Sequence, residues 1–376
     1  MAPTTVAFYA PLKPPGHPNP SGDRHLAQLL MSALQQAGFK VQLAAGLRSR
    51  DGNGNLQYQL RIKALGERWA NRLIRRYQAL PKSERPKLWF TYHLYHKAPD
   101  WLGPRVSSAL NIPYVVAEAS YAAKQIDGPW GLGLQSTVDA LEHARLCLSL
   151  NPTDRPCLEA RFSNLNIVDL PPFLDTAQFQ FAEQSQKAVL AERWQLPPHQ
   201  PWLITVAMLR PGDKTHSYQL LAEALSKLKC RDWQLLIIGD GVNREQVKGF
   251  FASLSGVHFL GQMSAQQLQP LLAASDLYLW PAVNEAFGLS MLEAQLSGTA
   301  VLAGNEGGVA SILDQNRSGI LVTPRDTHQF ARQLDLLLDN PSRLAEMGNA
   351  ARSHVLKRHS LDSAAMLLRR SLGPLL

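Results

Sequence analysis

Residues 276–298 read DLYLWPAVNEAFGLSMLEAQLSG. The run up to Trp280 is short and apolar and stops at Pro281, as a buried strand does. A short loop carrying Glu285 follows, and a helix is expected from Gly288, with Glu293 inside it, eight residues after Glu285. Strand, short loop and helix form one unit of an α/β fold. The alternation extends outward from this unit in both directions. Strands are expected at 202–208, 233–239, 257–261, 299–304 and 319–322, with helices at 216–229, 243–254 and 264–274 between them. Three helical segments close the chain, at 327–339, 342–357 and 361–372. A second series fills the first half. Its strands fall at 4–10, 40–46, 87–92, 112–117, 146–150 and 166–170, and its helices at 24–37, 62–80 and 134–145. Alternation of this kind predicts parallel sheets covered on both faces. Two series predict two Rossmann-like domains facing each other across a cleft. The join falls in 171–200, which is proline-rich at both ends and polar between, so the expected domains are 1–180, 181–360 and a final helix over 361–376.

Composition agrees with a two-domain globular chain. The 376 residues are 45% hydrophobic and 18% charged, a balance that excludes disorder, collagen-like repeats and coiled coil. Cys147, Cys157 and Cys230 are too few and too scattered for a disulfide framework or a cysteine zinc site, which points to a reducing compartment. No apolar run has the roughly 18 residues needed to span a bilayer, and the N-terminus lacks a signal-peptide pattern. The expected location is cytoplasmic. The formal net charge of +8 is concentrated between Arg61 and Lys87, where nine basic residues face only Glu67 and Glu84. Ile62, Leu65, Trp69, Leu73, Tyr77 and Leu80 recur there at helical spacing beside Arg68, Arg72, Arg75 and Arg76. Such a helix either presents an ordinary solvated face or touches an anionic surface such as membrane lipid.

The 276–298 stretch also holds the chemistry. The first N–H groups of a helix have no partner one turn earlier, so those around Phe287, Gly288 and Leu289 suit an anion such as a diphosphate. Gly288 permits close backbone approach to a bulky ligand. Glu285 and Glu293 are either capping and surface acids or acceptors of hydroxyl hydrogen bonds, as from a sugar and a ribose. Weaker patterns lead elsewhere. Gly239 and Gly241 lack the third glycine and the acidic partner of a dinucleotide site. His93 and His96 make two metal ligands without a third, so no metal is expected. Gly131 and Gly133 read as a flexible turn ahead of helix 134–145.

Glu-Ala-Phe-Gly-Leu followed by Leu-Glu-Ala resembles the E-x7-E signature of the family-4 (group 1) retaining glycosyltransferases, which have the GT-B fold. MLRPGDK (208–214) resembles the family's G-R-L-x-x-x-K-G stretch, which would place Arg210 and Lys214 at the donor diphosphate. LLIIGDG (235–241), Asn305–Gly308 and Gly319–Pro324 are similar to further landmarks, and residues 11–24 to the first glycine-rich loop, which would bring Gly16 to the donor. One departure is Ser311, where the family commonly has glutamate.

The resemblance implies that Glu285 contacts hydroxyls of the donor sugar and Glu293 the ribose. Phe287, Gly288 and Leu289 would belong to the donor site. No metal and no cofactor is implied, and neither glutamate acts as a covalent nucleophile. In the first domain Glu118 stands about where many members carry a histidine that reaches the reacting sugar. A carboxylate there would orient an acceptor hydroxyl or take its proton. His93, at the end of another strand, is a second catalytic candidate or else a buried, hydrogen-bonded histidine. The partners expected are a nucleotide-sugar donor and a glycan or lipid-linked acceptor, with peripheral contact to an anionic membrane and no nucleic acid. The setting implied is bacterial surface polysaccharide or glycolipid synthesis, and the alternative is a non-catalytic sugar-nucleotide-binding or scaffold subunit.

Overall fold

The computed structural model describes residues 3–19, 21–179, 187–229 and 232–376. Cys230, Pro20 of the first loop and residues 180–186 of the join lie outside them. The chain divides into two compact units, Met1–Pro171 with Leu361–Leu376, and Pro172–Ser360.

The first unit runs β1 (Thr5–Tyr9), α1 (Gly22–Gln36), β2 (Lys40–Leu43), α2 (Leu56–Ala79), β3 (Leu88–Leu94), α3 (Gly103–Leu110), β4 (Tyr114–Ala119), α4 (Gly131–His143), β5 (Leu146–Ser149), α5 (Arg155–Arg161) and β6 (Ile167–Asp169). Its six strands pair in parallel in the order β2-β1-β3-β4-β5-β6. Strands β1, β4 and β5 are buried along their whole length, the continuous apolar reading expected of a sheet covered on both faces. Asp100 is buried among them because four donors hold its carboxylate. Leu102 N–H, Gly103 N–H and the Thr91 hydroxyl lie 2.8, 2.7 and 2.5 Å away, and the Tyr114 hydroxyl 3.1 Å. That full set of partners makes it structural.

The second unit runs α6 (Lys187–Trp194), β7 (Trp202–Val206), α7 (Asp213–Ser226), β8 (Gln234–Ile238), α8 (Arg244–Phe250), β9 (Val257–Gly261), α9 (Ala265–Ala274), β10 (Leu277–Trp280), α10 (Leu289–Leu296), β11 (Ala300–Gly304), β12 (Gly319–Val322), α11 (Thr327–Leu338) and α12 (Pro341–Arg358). The sheet order is β12-β11-β10-β7-β8-β9, again parallel. The two ends of this unit are tied together. Leu174 N–H donates to the His359 carbonyl at 2.8 Å, and the buried His359 ring meets the Pro172 carbonyl at 2.7 Å. The last helix, α13 (Leu361–Leu372), packs on α1, and Gln36 hydrogen-bonds Asp362, so the chain ends on its first unit.

Every strand expected from the sequence is present. The short helices α3, α5 and α6 were not expected. They have eight, seven and eight residues, too few for periodicity to register, and α3 and α5 carry a proline, Pro104 and Pro156, in their first turn. The basic helix is longer than expected and starts at Leu56 under an Asn55 cap. Gly131 and Gly133 are a correction. They lie in the first turn of α4, and a Cβ on Gly133 would sit 2.1 Å from the His96 carbonyl oxygen, so close packing explains that glycine better than a flexible turn.

Candidate active site

In an open α/β sheet, ligands bind beyond the carboxyl ends of the strands where the strand order reverses. In the second unit that point lies between β7 and β10, where the loops leaving these two strands carry Arg210 and Glu285 and the first turn of α7 carries Lys214. The loop after β7 is shaped by neighbouring backbone. Leu209 N–H donates to the Asp240 carbonyl and Asn243 N–H to the Leu209 carbonyl, both at 3.0 Å. Gly239 and Gly241 have φ of 137° and 159°, and a Cβ on either would lie within about 2 Å of the carbonyls of Ala207 and Leu209. Those two glycines therefore serve loop crossing.

Lys214 lies in the first turn of α7, which begins after Gly212 at φ 89°. Its ammonium ion-pairs with Glu285 Oε2 and stands 5.1 Å from the centroid of the Trp280 ring. Trp280 Nε1–H donates to the same Glu285 oxygen at 2.9 Å. The pair is well enclosed, with 20% of the Lys214 side chain and 15% of the Glu285 side chain exposed. Arg210 is exposed and makes no ion pair among the described residues, while its carbonyl accepts from the Thr215 hydroxyl at 2.8 Å.

The loop from β10 to α10 is strained and clamped. Ala282 and Asn284 both have positive φ, 61° and 46°, a conformation costly for residues other than glycine. Val283 N–H donates to the Ser217 hydroxyl at 3.1 Å, Asn284 N–H to Glu306 at 3.2 Å, and the Asn284 amide to Asp213 at 3.0 Å. Gly308 N–H then donates to the Glu285 carbonyl at 2.9 Å. Glu285 is thus held through its backbone as well as its carboxylate. Gly288 caps α10 in the left-handed conformation, φ 70°, between the half-buried Phe287 and Leu289. Glu293, one turn inside α10, is half-buried, and burial pushes its carboxyl up to about 7. Tyr278 lies near both acids and shares a hydrogen bond with Ser290 at 2.8 Å. Ser311, where glutamate was the family's residue, turns its hydroxyl to the Gly308 carbonyl at 2.6 Å.

In the first unit the strand order reverses between β1 and β3, and a second group of titratable side chains gathers there. His93 and Glu118 stand at the ends of β3 and β4, both at φ 64°, left-handed and strained for such residues. His93 Nδ1 lies 3.3 Å from Asp23 Oδ1, an ion-pair contact off hydrogen-bond geometry. Burial opposes a charge on His93, but Asp23 and the charges of Glu118 and Asp154 outweigh it and raise its pKa. Glu118 is 6% exposed, and its Oε2 has no hydrogen-bond partner among the described residues. Burial pushes its carboxyl up to about 7, aided by Asp154 and Asp23 and opposed by His93. Among the described residues no three His, Cys, Asp or Glu side chains are grouped as a metal site requires. Gly16 is exposed in the loop between β1 and α1, with open space around it. Asp23, Asp154 and Trp280 were not singled out from the sequence. Asp23 falls within residues 11–24, in the first turn of α1, and Trp280 in the quoted strand, but only the fold gives them partners.

Glu118 carries a pH prediction. Its folded pKa is raised above the ordinary carboxyl value, so the folded state favours the protonated acid. Stability is therefore lost as pH rises from about 4.5 through about 7. His93, also raised, works in the same direction. Glu118→Gln should unfold like wild type near pH 4. At pH 8 it should be more stable than wild type, by up to about 3 kcal/mol. Denaturant midpoints at the two pH values measure this, and equal offsets at both would contradict the buried-acid account.

Comparison with known proteins adds to this geometry. Residues 188–354, most of the second unit, match the family model for glycosyl transferases group 1. Among curated proteins, a GDP-mannose-dependent monoacylated alpha-(1-6)-phosphatidylinositol monomannoside mannosyltransferase of Corynebacterium glutamicum is 36% identical over 132 residues, 33% of this chain and 34% of the relative. A D-inositol 3-phosphate glycosyltransferase of Nocardia farcinica is 28% identical over 225 residues, 57% of this chain and 47% of the relative. The matches thus span from a third to about half of these relatives. Solved structures match in fold along the whole chain. A glycosyltransferase from Rickettsia africae has a TM-score of 0.75 at 16% identity, covering 100% of this chain and 99% of its own. Anabaena HepE in complex with UDP has a TM-score of 0.76 at 15% identity, covering 99% and 100%. The fold is the GT-B fold, and residues 188–354 of its second unit are similar to the group 1 glycosyltransferases.

Proposed function

We propose that the protein is a retaining glycosyltransferase that moves a sugar from a nucleotide-diphosphate donor to a glycan or lipid-linked acceptor, without a metal. The observation that carries this reading is the Lys214–Glu285 pair at the reversal point of the second sheet, beside the N-terminus of α10. The leaving diphosphate gains negative charge as the glycosidic bond breaks. Positive partners already at the site, here Lys214, Arg210 and the N–H groups around Gly288, lower that barrier. Glu285 accepts hydrogen bonds from donor-sugar hydroxyls, and the half-buried Glu293 accepts from the ribose. The incoming acceptor oxygen attacks from the face the leaving group departs, and its proton passes to the leaving phosphate. No covalent sugar–protein intermediate forms. Glu118 and His93 serve the acceptor, orienting its hydroxyl. The HepE complexes with UDP and UDP-glucose support a nucleotide-sugar donor. Turnover in EDTA, followed by proton NMR of the new anomeric centre, tests the reading. Retained configuration with undiminished rate is expected, and inversion or loss of turnover would overturn it.

The acceptor setting proposed is a bacterial surface glycan or glycolipid made at the inner face of the membrane. Among the described residues no helix is long and apolar enough to cross a bilayer. Helix α2 supports surface attachment instead. Arg61, Arg68, Arg72, Arg75 and Arg76 are exposed and form no ion pair among the described residues, and Leu56 and Leu60 are exposed in its first turns. Each arginine near an anionic surface contributes about 1 kcal/mol. Sedimentation with vesicles containing phosphatidylglycerol should therefore retain the protein at low salt and release it in high salt. Replacing Arg68, Arg72 and Arg75 by glutamate should abolish binding, and retention by that variant would contradict the attachment.

A further inference from the structure

Glu285 Oε2 receives two donors of different character. One is the Lys214 ammonium, charged and carried on a flexible four-carbon stem. The other is the indole N–H of Trp280, neutral and fixed, at 2.9 Å. Trp280 is 2% exposed and is the last residue of β10, opposite Ala303 of β11. Its ring is held by Tyr218 of α7, centroids 5.2 Å apart at 80°, and Tyr218 is itself fixed by a 3.0 Å bond to the Ala207 carbonyl. A side chain packed on both a strand and a helix keeps its donor in one place. The indole N–H can only donate and does not titrate in the working range.

A diphosphate entering the site competes with Glu285 for the lysine. Once the ammonium turns to phosphate, Glu285 Oε2 retains only the indole donor among the contacts present here. We propose that Trp280 is a positioning residue for donor-sugar recognition, its indole N–H holding the Glu285 carboxylate in place after Lys214 is drawn to the diphosphate. This rests on the donor-site reading above. Trp280 touches no substrate and acts through Glu285, so its loss should weaken recognition of the sugar and spare the nucleotide.

Calorimetric titration with UDP, UDP-glucose, GDP and GDP-mannose tests this on wild type and Trp280→Phe. In the phenylalanine variant the affinity for the matching sugar nucleotide should fall about tenfold, the effect of one hydrogen bond to a carboxylate. Affinity for the bare nucleotide should stay within twofold. Benzothienylalanine at position 280 replaces only the N–H and keeps the ring volume, so it should reproduce the loss even if the phenylalanine variant folds poorly. Unchanged sugar-nucleotide binding in the benzothienyl protein overturns the proposal, as does an equal loss for nucleotide and sugar nucleotide. If wild type binds none of the four, nor the ADP- and TDP-sugars, the donor-site reading falls first and takes the proposal with it.

Discussion

Lys214→Ala should lower turnover by about a hundredfold to a thousandfold, the range observed when one preorganised charge-stabilising partner is removed. The fold should survive, because Lys214 is at the helix start and, among the described residues, its ammonium contacts Glu285 and the Trp280 ring. Glu285→Ala should cost a similar factor by a different route. It leaves the lysine available to phosphate but removes the proposed acceptor for sugar hydroxyls, so bare-nucleotide binding should hold while sugar-nucleotide turnover collapses. Steady-state rates and thermal midpoints, measured together, separate these outcomes from unfolding. Full activity in either variant would remove that residue from the chemistry.

The second large effect is expected at a residue that touches no ligand. Gly307 has φ 66°, and a Cβ there would lie 2.0 Å from the Glu285 carbonyl oxygen and 2.8 Å from its carbon. Those are backbone atoms, so relief requires moving the loop that carries Glu285 and breaking the adjacent bond from Gly308 N–H. Gly307→Ala should destabilise the protein by about 3 kcal/mol or more and depress activity beyond what the lost stability explains. Gly298 is the matched control. Its φ is 89°, yet nothing lies within 4 Å of a Cβ built there. Gly298→Ala should cost only the backbone strain, about 1–2 kcal/mol. Chemical denaturation of the two variants side by side measures the difference, and equal losses would mean that the close approach at Glu285 does not constrain the loop.

These cases mark what was legible in the chain. All twelve strands were, because buried parallel strands such as VAFY and QLLII leave runs too apolar for anything else. The short helices α3, α5 and α6 were not, since seven or eight residues give barely two turns of pattern. Glu285, Lys214 and Glu293 stood out through a resemblance that physics alone left balanced against helix capping. Their partners had no such signal. Trp280 reads as one more strand aromatic until α7 brings Lys214 over its ring. Asp23 reads as an ordinary first-turn acid until β3 delivers His93 to within 3.3 Å of it. Such contacts join residues 66 to 70 positions apart in sequence, and no local pattern encodes them. The acids at 118 and 293 show the same limit. Their positions were readable, but the burial that pushes each carboxyl up to about 7 belongs to the packed fold.

The second unit is proposed to bind a nucleotide-diphosphate sugar through Lys214 and Glu285. Thermal stabilisation and nucleotide release across a panel of UDP-, GDP-, ADP- and TDP-sugars test it most directly, with wild type run beside Lys214→Ala and Glu285→Ala. A bound ligand raises stability with its occupancy, so one nucleotide class should stand out at millimolar concentration and be slowly hydrolysed. Both substitutions should weaken that response. A panel in which no sugar nucleotide stabilises wild type, or in which the two variants respond as wild type does, would contradict the account.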